Sequence, residues 1–240
     1  MMRGMADDNL WAVVPAGGAG TRLWPLSRAA APKFLHDLGG TGRSLLQATY
    51  DRLVPLVGDR LLVVTGAAHA QAVTAQLDAL PAANVIAEPS PRDSMAAIGL
   101  AAAIIERQDP DAVMGSFAAD HVIADPEAFR TCVSEAAAVA RTGMLVTLGI
   151  EPDFPSTGFG YIRLAERLEG FPTAHAVAEF VEKPDVATAL PYQSSVSPTM
   201  GQDATRAVLN EYRTMRKIGR MLSKMICMKT GSRRRDLGLV

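Results

Sequence analysis

Short apolar runs alternate with segments of helical periodicity along the first 150 residues. The apolar runs are typical of strands that a sheet buries on both faces. The segments between them carry apolar residues at the spacing of one helix face. We predict strands at Leu10–Pro15, Leu61–Thr65, Asn84–Ala87, Ala112–Phe117 and Met144–Ile150, and helices at Ser44–Val57, Ala68–Leu80 and Met95–Ile105.

Helix boundaries and helix faces can also be predicted. Asp93 is a candidate N-cap for the apolar stretch that begins at Met95. The sequence Asp125-Pro126-Glu127 is a strong helix start, because aspartate caps a helix and proline fits its first position. On the first helix we expect the buried face to carry Leu45, Leu46, Tyr50, Leu53 and Val54.

Single helices between strands indicate βαβ units. The predicted fold is therefore α/β: a Rossmann-like, mainly parallel sheet with flanking helices. In such sheets ligands bind beyond the carboxyl ends of the strands, so functional residues should follow strands directly. The pattern changes near residues 157–182, where Phe159–Leu164 and His175–Val181 predict an added pair of strands.

Composition excludes several classes of protein. Apolar residues make up 48% of the chain and charged residues 20%, which is typical of a globular protein. The longest apolar run, Met95–Ile105, is too short to span a bilayer, and Met1–Asn9 lacks the apolar segment of a secretory signal. We therefore expect a cytoplasmic protein that does not bind membranes.

Charge divides the chain near residue 190. Residues 1–190 carry a net charge of −8, whereas residues 191–240 carry +7. We predict a core domain over 1–190 and a basic tail over 191–240, either poorly ordered or an atypical helix over Arg206–Met228. A basic helix can bind nucleic acid, but the composition favours a solvated tail, so we do not expect nucleic acid as a partner.

A glycine-rich turn directly follows the first predicted strand. Glycine lets backbone N–H groups approach a polyphosphate closely, and Arg22 and Lys33 add positive charge for phosphate oxygens. The spacing is not that of a P-loop, and Leu23 stands where the dinucleotide fingerprint requires its last glycine. A tight turn that merely needs glycine is the alternative. The candidate nucleotide-binding residues here are Ala16, Gly17, Gly18, Gly20 and Thr21.

Two acidic residues follow later strands. Asp120 comes after the fourth strand and could hold Mg²⁺, which takes few protein ligands and several phosphate oxygens; a turn or cap residue is the alternative. Glu88 follows the third strand, and its carboxylate could accept from the N1 and N2 donors of guanine. A surface glutamate is the alternative there.

A second group of candidates lies in and after the added strand pair. Bare backbone at Gly158 and Gly160 would let a hexose lie close, although a bulge or a turn would also explain both glycines. Glu182 offers hydrogen-bond acceptors and Lys183 a cation, although taken alone this sequence is more often a surface turn.

These motifs together resemble a known family. Gly17 to Arg28, followed by Pro32-Lys33, resembles the signature of the sugar-1-phosphate nucleotidyltransferases. Its Leu-Trp-Pro-Leu-Ser-Arg form is similar to the mannose-1-phosphate guanylyltransferase branch, although Phe34 stands where that branch often has Gln. Four later segments follow in the family's order: 88–94 for base recognition, including Ser94, 118–121 for metal binding, and 157–162 and 182–184 for the sugar phosphate.

The resemblance implies an activity. It implies transfer of GMP from GTP to mannose 1-phosphate, with Mg²⁺ as cofactor, with Arg22, Lys33 and Asp120 in catalysis, and with Asp120 as metal ligand. The resemblance does not decide the oligomeric state, and a homo-oligomer is one alternative.

The resemblance covers about residues 10–190. The segments that complete the family's sugar pocket and supply a second metal carboxylate are not found after Lys183. We therefore expect a truncated or frame-shifted chain, or one with an unrelated end. The alternative function is a non-catalytic nucleotide-binding remnant or a regulatory partner.

Overall fold

The computed structural model of the chain describes residues 9–18, 23–90, 92–150, 154–194, 205–208, 225–228 and 237–239. The chain divides into two compact units, residues 1–123 and residues 124–240. The division that we predict, at residue 190, stays a prediction.

The first unit contains a four-stranded parallel sheet. Its strands, β1 to β4, lie in the order β3-β2-β1-β4. The sheet is flanked by helices and confirms the α/β, Rossmann-like fold. The chain runs outward from β1 to β3 and then returns to the other side of β1, so the switch point lies between β1 and β4. The strands are Leu10–Ala16, Leu61–Gly66, Val85–Glu88 and Val113–Phe117.

Three helices of the first unit connect these strands. They are α1 at Leu45–Val57, α2 at Ala67–Gln76 and α3 at Asp93–Gln108, and short 3-10 helices lie at Lys33–Leu35 and Ala82–Asn84. The predicted end of α2 at Leu80 is wrong. Leu77 leaves helical geometry, yet Leu77 and Leu80 are both buried in the following turn, so the apolar pattern outlasts the helix. Asp93 is the first residue of α3, and Arg92 takes the N-cap position.

The buried face of α1 differs from the predicted one. Leu45, Leu46 and Leu53 are buried as expected. Tyr50 and Val54 are only half-buried, whereas the polar side chains of Thr49 and Arg52 are buried. A capping box between Ser44 and Gln47 starts this helix.

The second unit contains helix α4 and a mixed sheet. Asp125 caps α4, Pro126–Ala140, and accepts from the amides of Glu127 and Ala128, which confirms the predicted helix start. The strand β5, Val146–Ile150, is parallel to β9 and antiparallel to β8 and β10. The last three strands are β8 at Thr205–Val208, β9 at Met225–Met228 and β10 at Leu237–Leu239.

The predicted added strand pair is confirmed. β6, Gly160–Arg167, pairs with β7, His175–Glu182, in antiparallel register, and helix α5 follows at Val186–Ser194. β6 also pairs with β8. The alternative of a helix over Arg206–Met228 is wrong at both ends of that range, because both ends are strands: β8 pairs with β6, and β9 pairs with β5. Residues 209–224 lie outside the described residues.

Within the described ranges, no helix combines the length and the apolar character that crossing a bilayer requires.

Candidate active site

The glycine-rich turn leaves the carboxyl end of β1 with its backbone in open space. The hydroxyl of Thr65 on β2 donates to the carbonyl of Ala16 at 2.7 Å and so fixes the end of β1. Gly18 has φ +86°, which favours glycine, and a Cβ atom added at Gly17 or Gly18 would meet no atom of the described residues within 4 Å. A ligand can therefore approach this backbone. Gly20, Thr21 and Arg22 lie outside the described residues, so their roles stay predictions.

The turn that carries Lys33 is fixed by burial. Phe34, the one departure from the family signature, is only 2% exposed and meets the ring of His69 edge-on at 6.1 Å. The ring of His69 also lies 2.7 Å from the carbonyl oxygen of Ala29. This packing anchors the turn that carries Lys33.

Neutral hydrogen bonds also anchor the same turn. The side-chain amide of Gln76 donates to the carbonyl of Leu35 at 3.0 Å. Its oxygen accepts from the hydroxyl of Ser44 at 2.6 Å, and the side chain of Gln47 donates to the backbone carbonyl of Gln76 at 3.0 Å. The ends of α1 and α2 thus anchor the Lys33 turn. We call this set of contacts the amide network.

Lys33 and Asp120 form an ion pair although 87 positions separate them. The ammonium of Lys33 lies 3.0 Å from Oδ2 of Asp120, and the two side chains are 34% and 43% exposed. Asp120 is the third residue after β4, and Gly17 is the first after β1. Because β1 and β4 are parallel neighbours, both loops leave the same edge of the sheet at its switch point.

Two residues that the sequence analysis missed lie behind Asp120. The guanidinium of Arg52 donates to the hydroxyl of Thr49 at 3.0 Å and to the carbonyl of His121 at 3.5 Å. The hydroxyl of Thr49 donates to the carbonyl of Ala119 at 3.4 Å. Burial lowers the pKa of Arg52 to about 10, so the guanidinium keeps its charge at neutral pH. The sequence offered only a weak indication of this pair, namely a threonine and an arginine three positions apart on a predicted helix.

Glu88 lies at the same sheet edge, two strands away from β1. It is the last residue of β3 and pairs in register with Gly66, while Ala16 pairs with Thr65. Two strand spacings place it roughly 10 Å from the glycine-rich turn. Ser94 is exposed in the first turn of α3. The sheet therefore brings Glu88 to the same edge as the glycine-rich turn.

The remaining candidates gather around the start of β6 and the end of β7. Gly160 and Glu182 are register partners, and the amide of Lys183 donates to the carbonyl of Phe159 at 3.1 Å. Gly160 is buried and Gly158 is exposed. A Cβ atom on Gly158 would only reach ordinary contact with the hydroxyl of Ser156 at 3.6 Å, so nothing described requires glycine there.

Glu182 and Lys183 have unusual surroundings. Both carboxylate oxygens of Glu182 are buried, and no described residue gives them a hydrogen bond. The ammonium of Lys183 lies 3.7 Å from Oε1 of Glu182. Lys183 has φ +44°, a conformation that side-chain-bearing residues rarely adopt and that tends to persist at ligand sites. The pair can therefore offer both acceptors and a cation to a polar ligand.

A metal could be held by Asp120. Among the described residues, no three His, Cys, Asp or Glu side chains gather at one point. A half-exposed carboxylate beside an open backbone turn fits Mg²⁺, which binds one or two carboxylates and takes its other ligands from phosphates and water.

Comparisons with known proteins agree with this geometry. The family model described as "Nucleotidyl transferase" matches residues 11–226, which extends past residue 190. Mannose-1-phosphate guanylyltransferase of Escherichia coli (strain K12) is 45% identical over 197 residues, which are 80% of this chain and 41% of that protein. Xanthan biosynthesis protein XanB of Xanthomonas campestris pv. campestris (strain ATCC 33913) is 43% identical over 187 residues, 76% of this chain and 38% of that protein.

A solved structure is also similar. The crystal structure of a protein described as mannose-1-phosphate geranyltransferase from Thermus thermophilus superposes with a TM-score of 0.69 at 34% identity, over 83% of this chain and 55% of that one. The chain spans about two fifths of the length of the curated relatives that it matches. Since the family model covers most of the chain, the chain belongs to the nucleotidyl transferase family.

Proposed function

We propose that this protein transfers GMP from GTP to mannose 1-phosphate, giving GDP-mannose and pyrophosphate. The observation that carries the proposal is the pairing of Lys33 with Asp120 at the sheet edge where the open backbone of Gly17 and Gly18 also leaves β1. A cation, a carboxylate and free backbone at one sheet edge suit a nucleoside triphosphate. Relatives named mannose-1-phosphate guanylyltransferase support the choice of substrates.

The reaction needs positioning more than acid–base chemistry. The phosphate oxygen of mannose 1-phosphate is ionised near neutral pH, so it can attack the α-phosphorus of GTP in line without a general base. The protein lowers the barrier by holding the two phosphates together and by neutralising charge. The amides of Gly17, Gly18 and Gly20 and the guanidinium of Arg22 hold the triphosphate, and Lys33 stabilises charge around the transferring group.

Asp120 is the residue that would hold Mg²⁺. When bound, the ion neutralises phosphate charge and orients the phosphate oxygens. Asp120 keeps one carboxylate oxygen on Lys33 and can turn the other toward the ligand edge. Lys33 thereby fixes the direction of the carboxylate.

Base choice rests on Glu88. Its carboxylate, at the end of β3, accepts two hydrogen bonds side by side from N1 and N2 of guanine, whereas adenine, thymine and uracil cannot satisfy both oxygens. Ser94 adds a hydroxyl in the first turn of the next helix. The test is Glu88→Gln, with the rates for GTP, UTP and dTTP compared; an unchanged preference for GTP would refute this role.

The sugar phosphate binds at Gly158, Gly160, Glu182 and Lys183. The buried oxygens of Glu182 gain partners when they accept from hexose hydroxyls, which removes an unfavourable desolvation. The ammonium of Lys183 meets the phosphate.

The deciding experiment uses the purified chain. It is incubated with GTP, mannose 1-phosphate and Mg²⁺, and released pyrophosphate is measured. We expect release that requires both substrates and stops when the divalent ion is chelated. GTP binding without pyrophosphate release would refute the proposal and favour the non-catalytic remnant. The cytoplasmic location, the absence of nucleic acid and membrane partners, and the oligomeric state stay predictions.

A further inference from the structure

Helix α1 presents two polar side chains to the loop that carries Asp120. Thr49 and Arg52 lie three positions apart and therefore share one face of the helix. Thr49 is 0% exposed and Arg52 is 6% exposed. Ala119 and His121, the neighbours of Asp120, are 3% and 7% exposed. The contact thus forms inside the first unit, away from solvent.

The hydrogen bonds reach the carbonyl groups on both sides of Asp120. Thr49 donates to Ala119 at 3.4 Å, and Arg52 donates to His121 at 3.5 Å and to Thr49 at 3.0 Å. Each bond to the loop is long, but the two together restrain the peptide group before Asp120 and the peptide group after His121. The backbone on both sides of Asp120 is thereby anchored, which limits the directions that the Cα–Cβ bond of Asp120 can take.

Burying an arginine at this position carries a large desolvation free energy. Removing a guanidinium from water costs more than its ion-pair or hydrogen-bond energy commonly returns, and an apolar side chain of similar volume would fill the space at less cost. Arg52 stays charged at neutral pH, because burial lowers its pKa only to about 10. A buried charge that donates to a loop carbonyl is consistent with control of the position of that loop.

We propose that Arg52, together with Thr49, is a positioning residue that fixes the Ala119–His121 loop so that the carboxylate of Asp120 faces Lys33. The loop restraint follows from the contacts, while its consequence for turnover rests on the proposed function. Arg52 does not touch the substrates. Its effect reaches the reaction through Asp120.

The experiment separates positioning from general stability. Arg52→Met keeps the volume and removes the donors, and Thr49→Val keeps the shape and removes the hydroxyl. Leu53→Ala is the matched control, since Leu53 is fully buried on the same helix and makes no polar contact with the loop. Hydrogen exchange of the peptide that contains residues 118–122 is measured for each, together with the thermal midpoint.

We expect Arg52→Met and Thr49→Val each to speed hydrogen exchange in that peptide about tenfold relative to Leu53→Ala, after correction for global stability. We also expect the Mg²⁺ concentration for half-maximal turnover to rise about tenfold, with a smaller change in KM for the sugar phosphate. Thr49→Val serves alone if Arg52→Met does not fold.

The outcomes are distinguishable. Exchange that matches the Leu53→Ala control overturns the positioning role. Faster exchange with an unchanged Mg²⁺ requirement in an active protein also overturns it, because the loop then moves without effect on the metal ligand. Faster exchange in a chain whose unsubstituted form releases no pyrophosphate supports the loop restraint and refutes only the proposed function.

Discussion

Substituting Lys33 by methionine separates the chemical role of the ion pair from its structural role. The pair between Lys33 and Asp120 is 3.0 Å long, and its side chains are 34% and 43% exposed. Water screens a pair of this exposure, so its contribution to stability is below about 1 kcal/mol. For a protein of this size, that corresponds to a fall of less than about 4 °C in the thermal midpoint.

The expected loss of turnover is much larger. A preorganised cation beside the transferring phosphate stabilises charge that develops in the transition state, and removing one such group costs roughly 10²–10³ in kcat. We therefore expect Lys33→Met to lower pyrophosphate release at saturating GTP and mannose 1-phosphate by that factor. The assay is the initial rate of release, with the thermal midpoint measured on the same preparation.

A second ion pair provides the control. Arg43 and Asp51 pair at 2.6 Å with exposures of 44% and 48%, in the same unit and outside the candidate site. Arg43→Met should lower the thermal midpoint by a similar amount and leave turnover within a factor of about two, because surface pairs contribute little. Equal losses of turnover in Lys33→Met and Arg43→Met, or unfolding of Lys33→Met alone, would refute the reasoning.

The remaining predictions concern stability. Gly18→Ala should lower the thermal midpoint by about 4 °C because a side chain at φ +86° costs about 1–2 kcal/mol, whereas Gly17→Ala, also in open space, should change it less; equal effects would contradict this. Asp125→Ala should cost about 1 kcal/mol through the loss of the α4 cap, measured by urea unfolding. Desolvation alone would raise the pKa of Asp37, but the amides of Gly42 and its neighbours lower this pKa below 3.8. The carboxylate therefore stabilises its loop above pH 3.8, and this stabilisation is lost as the pH falls through the lowered pKa. An NMR titration midpoint at or above 3.8 would contradict this prediction.

Local chemistry made much of the fold predictable. Asp125 followed by proline specifies a helix start through backbone hydrogen bonding alone, and the structure confirms it. Short apolar runs specify buried strands because a parallel sheet hides both faces. The end of α2 was not predictable in the same way, since Leu77 and Leu80 continue to bury apolar surface after the helical hydrogen bonds stop.

The sequence identifies Lys33 and Asp120 as candidate site residues but does not predict that they contact each other. Lys33 and Asp120 follow from a glycine-rich turn and from a strand end, but their pairing depends on how distant segments pack. Arg52 was missed because charged residues on a helix usually face solvent, so the pattern favoured Tyr50 and Val54 for the buried face. Only tertiary structure shows that the loop after β4 needs donors at this point.

Because the amide network contains only neutral groups, the conformation of the Lys33 turn should change little with ionic strength. Ser44, Gln47 and Gln76 are uncharged, and hydrogen bonds between neutral groups are hardly screened by dissolved ions. Added salt should therefore leave the Lys33 turn in place while it weakens the long-range attraction of anionic substrates to the cations around them. The dependence of the reaction rate on salt concentration would then report how fast substrate and enzyme associate, with no contribution from a change in the turn.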